Sequence, residues 1–185
     1  FVVDLQAVVT YLRRDLLAHQ FHAFFVADIF VVLSCIRLGG GREQRLGQPV
    51  RLAQALREAT GREIPVGRLD ITLYRDDVGP WRPAHQQPVL KKTILPDSIE
   101  GRIIYLVDDV LFTGRTIRAA MNEIFDFGRP ASITLVTLIE RSGRELPIQP
   151  DVIGLSPPLR LDDRIKLTGP EPLSLEILHR PRTGA

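Results

Sequence analysis

Short apolar runs rich in β-branched residues recur along the chain and predict strands that are buried in a sheet. Ile103–Val107 is the clearest of them, and Ile29–Leu33 and Ser132–Ile139 have the same character. Apolar and polar residues alternate in Leu69–Tyr74, which predicts a further strand. Shorter strands are predicted near Arg164–Leu167 and Ser174–Leu178.

Three other segments place apolar residues three and four positions apart, which is the spacing of a helix with one buried face. The first follows Asp4, which can cap it, and its last apolar residue is Leu16. The second runs from Pro49 to Thr60 and is closed by Gly61. The apolar face of the third consists of Ile117, Met121, Ile124 and Phe125, and Gly128 and Pro130 close it.

The order of these elements predicts an α/β fold with a doubly wound, mostly parallel sheet. The third helix lies between the strands Ile103–Val107 and Ser132–Ile139, and strand, helix and strand in that order form a right-handed parallel unit. Residues 1–185 are expected to form one domain. A polar, proline-containing stretch at about residues 75–100 predicts a flexible loop. Ligands of such sheets bind at the carboxyl ends of the strands, which directs attention to the residues after Val107.

Composition and charge exclude some classes of protein. Hydrophobic residues make up 44% and charged residues 25% of the chain, which is typical of a globular domain. No apolar run reaches the roughly 20 residues that span a bilayer, so no membrane partner is expected. The net charge of +2 does not by itself indicate nucleic-acid binding. Cys35 is the only cysteine, and with no signal peptide in view the expected location is the cytoplasm.

The segment Leu106–Thr116 carries the clearest chemistry of the chain. Asp108 and Asp109 directly follow the predicted strand, and Thr113–Thr116 lies at the start of the helix. The free backbone N–H groups of a helix N-terminus favour an anion, and Gly114 lets the backbone come close to it. The two carboxylates would repel a phosphate but suit the vicinal hydroxyls of a ribose, or a Mg²⁺ ion held partly through water. A ribose 5-phosphate unites these preferences.

Two other interpretations of this segment remain open at this point. The aspartates could be solvated turn residues behind a helix that the threonines cap. A Mg²⁺-dependent phosphotransferase also places acidic pairs at strand ends, but it does not explain a phosphate cradle so close behind them.

The same segment resembles the phosphoribosyl diphosphate (PRPP) signature of the type I phosphoribosyltransferases. Leu69–Asp77, Gly128–Pro130 and Arg141–Ile148, followed by Asp151 and Gly154, are similar to the PyrR family. Proteins of that family are uracil phosphoribosyltransferases, and many also regulate pyrimidine operons by binding mRNA. The resemblance implies that uracil and PRPP are converted to UMP and diphosphate with the help of Mg²⁺.

The resemblance also implies a role for individual residues. Asp108 and Asp109 would contact the ribose hydroxyls and hold Mg²⁺, partly through water, and Arg75 would stabilise the diphosphate during catalysis. The loop around the 5-phosphate would consist of Val110, Leu111, Phe112, Thr113, Gly114, Arg115 and Thr116. Tyr74 and Asp77 would lie at the start of the flexible loop, Arg141 near the base and the diphosphate, and Ile165 beside uracil through its backbone. No residue stands out as a general base.

The chain departs from the family in two places. The family's Thr-Arg-Gly loop after the first strand reads Ser34–Arg42 here, where Arg37, Gly39 and Gly40 would have to hold the diphosphate. The family's Arg-Gly-His-Arg stretch has Gly143 in place of histidine, and Gln149 and Leu155 stand where basic residues are common.

These departures leave three functions open. The first is a uracil phosphoribosyltransferase that also regulates pyrimidine operon mRNA in response to UMP. The second is a catalytically weak regulator that senses PRPP or nucleotides and binds RNA. The third is a phosphoribosyltransferase for another base. In each case the resemblance implies a homodimer or homotetramer.

Overall fold

The computed structural model describes residues 2–4, 29–33, 53–54, 57–58, 61, 63–74, 92–95, 97–168 and 174–179. The predicted helix from Leu5 to Leu16 and the Ser34–Arg42 loop, with Arg37, Gly39 and Gly40, lie outside these residues. So do Arg75, Asp77 and most of the predicted flexible loop. Among the described residues, no helix has the length and apolar character needed to cross a membrane.

The described strands are β1 (Val2–Asp4), β2 (Ile29–Leu33), β3 (Val66–Arg68), β4 (Ile103–Leu111), β5 (Ser132–Glu140), β6 (Val152–Leu155), β7 (Arg164–Thr168) and β8 (Ser174–Leu178). Five of them form one sheet in the order β3-β2-β4-β5-β6, and every neighbouring pair in it is parallel. This confirms the predicted α/β fold with a parallel sheet. The predictions of β2, β4, β5, β7 and β8 are confirmed, whereas β1, β3 and β6 were not predicted.

The helix α1 (Arg115–Phe127) connects β4 to the parallel strand β5, as predicted. Ile117, Ala120 and Ile124 are buried against Ile104 and Leu106 of β4. The prediction that Phe125 belongs to the buried face is wrong, because its side chain is 53% exposed. Phe125 follows Ile124 by one position, which rotates it about 100° around the helix and away from the sheet.

The prediction of a strand at Leu69–Tyr74 is also wrong. The strand β3 ends at Arg68, and Ile71–Tyr74 forms a 3₁₀ helix. Its three-residue turn brings Ile71 and Tyr74 to the same side, where Ile71 is buried and Tyr74 packs against the same core as α1. Arg68, the last residue of β3, pairs with Leu33 on one side and forms an antiparallel bridge with Ile94 on the other, and the chain turns after it. Leu69 and Ile71 are therefore buried although the chain forms a 3₁₀ turn here and not a strand.

The helix predicted from Pro49 to Thr60 is described at Ala53–Gln54 and Arg57–Glu58, which are helical. Gly61 has a φ of +68° and donates its N–H to the carbonyl oxygen of Arg57 at 2.8 Å, which confirms the predicted end of this helix.

The strands β7 and β8 form a separate antiparallel sheet with β1. Leu175 of β8 is buried, and it packs with Tyr105 and Val107 of β4 in one hydrophobic cluster. Ala53 lies in the same cluster, whereas α1 packs with the alternate residues of β4. The central sheet is thus covered on both faces, and the loops at the carboxyl ends of its strands are where a ligand can bind.

Candidate functional site

The sequence analysis expected the acidic pair directly after the strand, but the pair lies inside β4. The strand continues to Leu111 because Asp108 still pairs with Thr137 of β5, and Val110 pairs with Ile139. The two aspartates are therefore buried at the carboxyl end of the sheet, with exposed fractions of 2% and 8%. That is the position at which parallel sheets bind ligands.

Each carboxylate turns back on the amide that follows it. Oδ1 of Asp108 accepts the N–H of Asp109, and Oδ1 of Asp109 accepts the N–H of Val110, both at 2.8 Å. Oδ2 of Asp108 is buried and accepts no hydrogen bond from the described residues. Burial raises the pKa of Asp108 well above that of an ordinary aspartate, and the neighbouring charge of Asp109 raises it further. A hydroxyl donor or a cation from a ligand would satisfy this oxygen.

The loop between β4 and α1, which we call the phosphate loop (Leu111–Thr116), ends in an open helix N-terminus. Gly114 precedes the helix with a φ of +89° and has no side chain to cap it, while Oγ1 of Thr113 accepts the N–H of Arg115 at 3.3 Å. The first intrahelical bond described is from the N–H of Arg118 to the carbonyl oxygen of Gly114, at 2.9 Å. The other amides of the first turn have no carbonyl one turn before them, so they can bind an anion. The left-handed conformation of Gly114 explains why glycine occupies this position.

The segment that follows β5, which we call the brace (Arg141–Leu146), holds the phosphate loop along its length. The N–H of Arg141 donates to Leu111 O at 3.0 Å, and the amides of Glu145 and Leu146 donate to Thr113 O at 3.0 and 3.1 Å. The guanidinium group of Arg144 donates to the carbonyl oxygen of Phe112. Sequence analysis missed this contact, since no local pattern shows that two segments 30 residues apart share hydrogen bonds.

Arg141 is the most buried cation of the brace, with 8% of its side chain exposed. Its guanidinium group stacks 4.1 Å from the centre of the Phe112 ring. It also donates to the carbonyl oxygens of Asp163, Leu161 and Arg160, at 3.0, 3.0 and 3.1 Å. The charged end of Arg141 thus contacts the protein itself. Its predicted contact with base and diphosphate stays a prediction.

The other predicted site residues are distributed around this centre. Arg115 is exposed and donates Nε–H to Glu145 at 2.6 Å. Thr113 accepts the N–H of Arg115 at 3.3 Å, and Thr116 lies in the first turn of α1. Tyr74 donates its hydroxyl to Asp126 on α1, away from the aspartate pair in sequence and at the other end of the helix. Ile165 lies on β7, paired with Ile177.

The acidic pair is compatible with the predicted Mg²⁺. Within the described part of the chain, no group of three or more His, Cys, Asp or Glu side chains forms a complete metal site. Mg²⁺ is commonly held by one or two carboxylates together with substrate phosphates and water. The buried Oδ2 of Asp108 fits that pattern, so Asp108 and Asp109 can hold an ion that a phosphorylated substrate completes.

Comparison with known proteins decides the family. A family model described as a phosphoribosyl transferase domain matches residues 49–172. A Pseudomonas fluorescens protein named "Bifunctional protein PyrR" is 43% identical over 171 residues, which cover 92% of this chain and 93% of the relative. A protein of the same name from Pseudomonas paraeruginosa is 52% identical over 125 residues, covering 68% of this chain and 72% of the relative. The chain belongs to the PyrR family.

Solved structures confirm the type I phosphoribosyltransferase fold of this PyrR family member. A hypoxanthine-guanine phosphoribosyltransferase from Leishmania tarentolae, in complex with GMP, superposes with a TM-score of 0.58 at 20% identity, covering 84% of this chain and 77% of that one. A hypoxanthine phosphoribosyltransferase from Trypanosoma cruzi, in a ternary complex with substrates, gives 0.58 at 17% identity, covering 88% and 80%.

Gly143 marks a difference from the PyrR stretch Arg-Gly-His-Arg, and the structure shows why glycine fits here. Its φ is +110°, a conformation that other residues rarely adopt. A Cβ atom at this position would lie 2.4 Å from Cε2 of Phe112 and 3.0 Å from Cδ2 of Leu161. Glycine therefore allows the ring of Phe112 to pack between residue 143 and Arg141.

The brace also borders a cavity of about 610 Å³ that is lined by Glu140–Arg144, Leu146–Gln149 and Ser156–Leu159. Its charged residues are already paired, since Arg144 donates to Glu140 at 2.7 Å and Ser156 donates to the other oxygen of Glu140 at 3.3 Å. The PyrR positions that commonly carry basic residues thus offer little unpaired positive charge here: Gln149 is neutral, and Arg144 is neutralised.

Proposed function

We propose that this chain transfers the phosphoribosyl group of PRPP to uracil, which yields UMP and diphosphate. The observation that carries the proposal is the buried Asp108–Asp109 pair next to an open helix N-terminus. One end of this arrangement suits ribose hydroxyls, and the other suits a phosphate. The similarity to PyrR proteins supports uracil as the base, and the phosphoribosyltransferase domain supports the reaction class.

In the proposed reaction, the bond between the anomeric carbon and the diphosphate oxygen breaks as the uracil nitrogen bonds to that carbon. Such a displacement passes through an oxocarbenium-like state, as glycoside cleavage does. The phosphate loop would hold the 5-phosphate through first-turn amides and the hydroxyls of Thr113 and Thr116. Asp108 and Asp109 would bind the ribose hydroxyls. Holding both ends fixes the anomeric carbon relative to the base, which supplies much of the rate enhancement.

The leaving diphosphate needs positive charge. Mg²⁺ bound with PRPP neutralises it, and Asp108 and Asp109 are the residues that would hold the ion, partly through water. Arg37 with Gly39 and Gly40, and Arg75 with Asp77 on the flexible loop, are proposed for the same end of PRPP from the family resemblance. All five lie outside the described residues. A uracil that is deprotonated before attack would not require a general base from the protein.

The test is UMP formation from labelled uracil and PRPP with Mg²⁺, with hypoxanthine, guanine and cytosine as control bases. Turnover with uracil alone would support the proposal in full. Turnover with another base would assign a different phosphoribosyltransferase. No turnover, with PRPP still bound, would favour a regulator that keeps the fold without the chemistry.

A second candidate is UMP-responsive binding of pyrimidine operon mRNA, which the relatives' name, bifunctional PyrR protein, favours. The paired state of Arg141 and Arg144 predicts few new phosphate contacts from the brace. A salt titration of binding to a leader RNA tests this, because each phosphate contact adds close to one unit to the slope of log affinity against log salt. A homodimer or homotetramer in the cytoplasm is proposed on the family resemblance, and light scattering would give the oligomeric state.

A further inference from the structure

A chain of contacts leads from the start of β7 to the phosphate loop. It begins at Asp163, whose side chain is almost fully buried, with an exposed fraction of 3%. Oδ2 of Asp163 accepts the N–H of Arg160 at 2.9 Å, and the N–H of Asp163 donates back to Arg160 O at 3.2 Å. These two bonds close residues 160–163 into a tight turn, which we call the clamp turn.

The clamp turn presents its carbonyl oxygens to a single side chain. Three of the four, those of Arg160, Leu161 and Asp163, accept N–H groups of Arg141. The planar guanidinium group can meet three acceptors only when they are held in a fixed arrangement. The geometry of the turn, which Asp163 closes, therefore sets the position of Arg141.

Arg141 in turn determines where Phe112 lies. Its guanidinium group covers one face of the Phe112 ring at 4.1 Å, and the missing Cβ of Gly143 makes room for the ring edge. Phe112 precedes Thr113 and Gly114 in the phosphate loop. We expect a shift of the ring to affect the adjacent backbone of Thr113 and Gly114, which are proposed to surround the 5-phosphate.

We propose that Asp163 is a positioning residue for the phosphate loop, and that it acts through the clamp turn and Arg141 on Phe112. The inference rests on the proposed function, because it assigns the loop to the 5-phosphate of PRPP. It adds a coupling between the two sides of the site, since the clamp turn leads directly into β7, where Ile165 is expected beside the base. The two halves of the substrate would thus be held by one continuous set of contacts.

The second partner of Asp163 makes a control possible. Nδ1 of His179 lies 2.9 Å from Oδ1 of Asp163, and the imidazole is 63% exposed. Both Arg160 and His179 lower the pKa of Asp163, the first through its backbone N–H, so the carboxylate is ionised at neutral pH. If Asp163 acts through the clamp turn, the bond to Arg160 matters and the bond to His179 does not.

The experiment compares Asp163→Ala with Asp163→Asn, His179→Ala and Lys166→Ala. Asparagine can still accept the N–H of Arg160 and donate to His179. Lys166→Ala removes an exposed pair with Glu176, 3.1 Å apart, from the same hairpin without touching Arg141. Titration calorimetry measures PRPP binding in the presence of Mg²⁺, and hydrogen exchange with mass spectrometry follows residues 110–118.

Asp163→Ala is expected to weaken PRPP binding by about tenfold and to speed exchange in the phosphate loop. The other three variants are expected to stay close to the wild type in both measurements. Wild-type affinity and exchange in Asp163→Ala would overturn the inference, and so would an equal loss in Lys166→Ala, which would indicate general destabilisation. If the wild-type chain itself does not bind PRPP, the proposed function fails, whatever the variants do.

A second variant covers the case in which Asp163→Ala does not fold. Arg141→Lys keeps the charge but replaces a planar fork of donors by a single ammonium group, which cannot meet three fixed carbonyl oxygens. Faster exchange at residues 110–118 and weaker PRPP binding are expected from it. A wild-type result from Arg141→Lys would overturn the inference.

Discussion

The carboxyl ends of β4 and β5 are neighbours in the sheet and carry opposite charges, but their side chains are used differently. At the end of β4, Asp108 is buried with one oxygen that no described residue bonds. At the end of β5, Arg141 is also buried, with 8% exposed, and both of its terminal nitrogens donate to carbonyl oxygens, although its Nε has no partner among the described residues. The comparison teaches that the hydrogen bonds of the charged terminal atoms, and not charge itself, distinguish the two groups: Asp108 keeps a terminal oxygen for a ligand, whereas the terminal nitrogens of Arg141 hold the protein's own backbone.

The largest effect is expected from Arg141→Met, which tests how much the contacts of Arg141 contribute to the stability of the fold. It keeps an apolar stem beside Phe112 but leaves the carbonyl oxygens of Arg160, Leu161 and the buried Asp163 without their donor. Breaking such contacts costs about 3 kcal/mol of unfolding free energy. Urea denaturation measures the loss, with Lys166→Met on the surface of β7 as the control. A loss as small as that of the control would show that Arg141 is held for a ligand, as the sequence analysis expected.

Asp109→Asn tests the acidic pair at the end of β4, and we expect it to affect function more than stability. The exchange is nearly isosteric and leaves Oδ1 able to accept the N–H of Val110. It removes the charge proposed for the ribose hydroxyls, so the use of PRPP should fall at least tenfold, about 1.4 kcal/mol. Steady-state kinetics with varied PRPP measures this, and denaturation verifies the fold. Full activity in the variant would contradict the ribose assignment.

Asp108→Asn should sharpen the comparison by raising stability at neutral pH. The pKa of Asp108 is raised by burial, so the unfolded chain loses this proton at lower pH than the folded chain does. The contribution of the Asp108 carboxyl to the free energy of unfolding is therefore largest in acid, and it is lost as the pH rises through the raised pKa. Asparagine carries no charge and escapes that loss, so the variant should have a higher Tm than the wild type at neutral pH.

The measurement for this variant is Tm against pH for wild type and Asp108→Asn. The two curves should meet in acid and separate towards neutral pH, with the variant higher. Asp97→Asn, on an exposed loop, serves as the control. Equal curves at neutral pH would mean that Asp108 is not held at a cost to folding.

The sequence predicted the parts of this site that depend on local pattern. The apolar run Ile103–Val107 indicates a buried strand, and Gly114 indicates a loop that comes close to its ligand. The strand, the loop and the helix after it were therefore all expected. The strand predicted at Leu69–Tyr74 was wrong because residues 69 and 71 are buried equally well by a 3₁₀ turn. An alternation of two apolar residues is too short to distinguish them.

What the sequence could not show depends on contacts between distant segments. The strand β1 pairs with β8, whose residues lie more than 160 positions later, and neither has a local signal for this partner. The use of Arg141 likewise depends on carbonyl oxygens near residue 161, and backbone groups leave no trace in side-chain identity. The family resemblance assigned Arg141 to the base and the diphosphate, and the sequence could not show that its guanidinium group also holds the protein's own backbone.

The smallest effect is expected from Glu145→Gln, which changes the exposed pair between the brace and the phosphate loop. Arg115 Nε and Glu145 Oε2 are only 2.6 Å apart, a shorter contact than any of those made by Arg141. Both side chains are about half exposed, with fractions of 47% and 51%, so water competes for both charges. Pairs of this kind contribute about 0.5 kcal/mol or less, and salt weakens them further.

Urea denaturation at low and high salt should give nearly equal values for wild type and variant, with Arg141→Met as the positive control. A loss above about 1 kcal/mol would show that closeness matters more than burial in this site, against the argument drawn from β4 and β5.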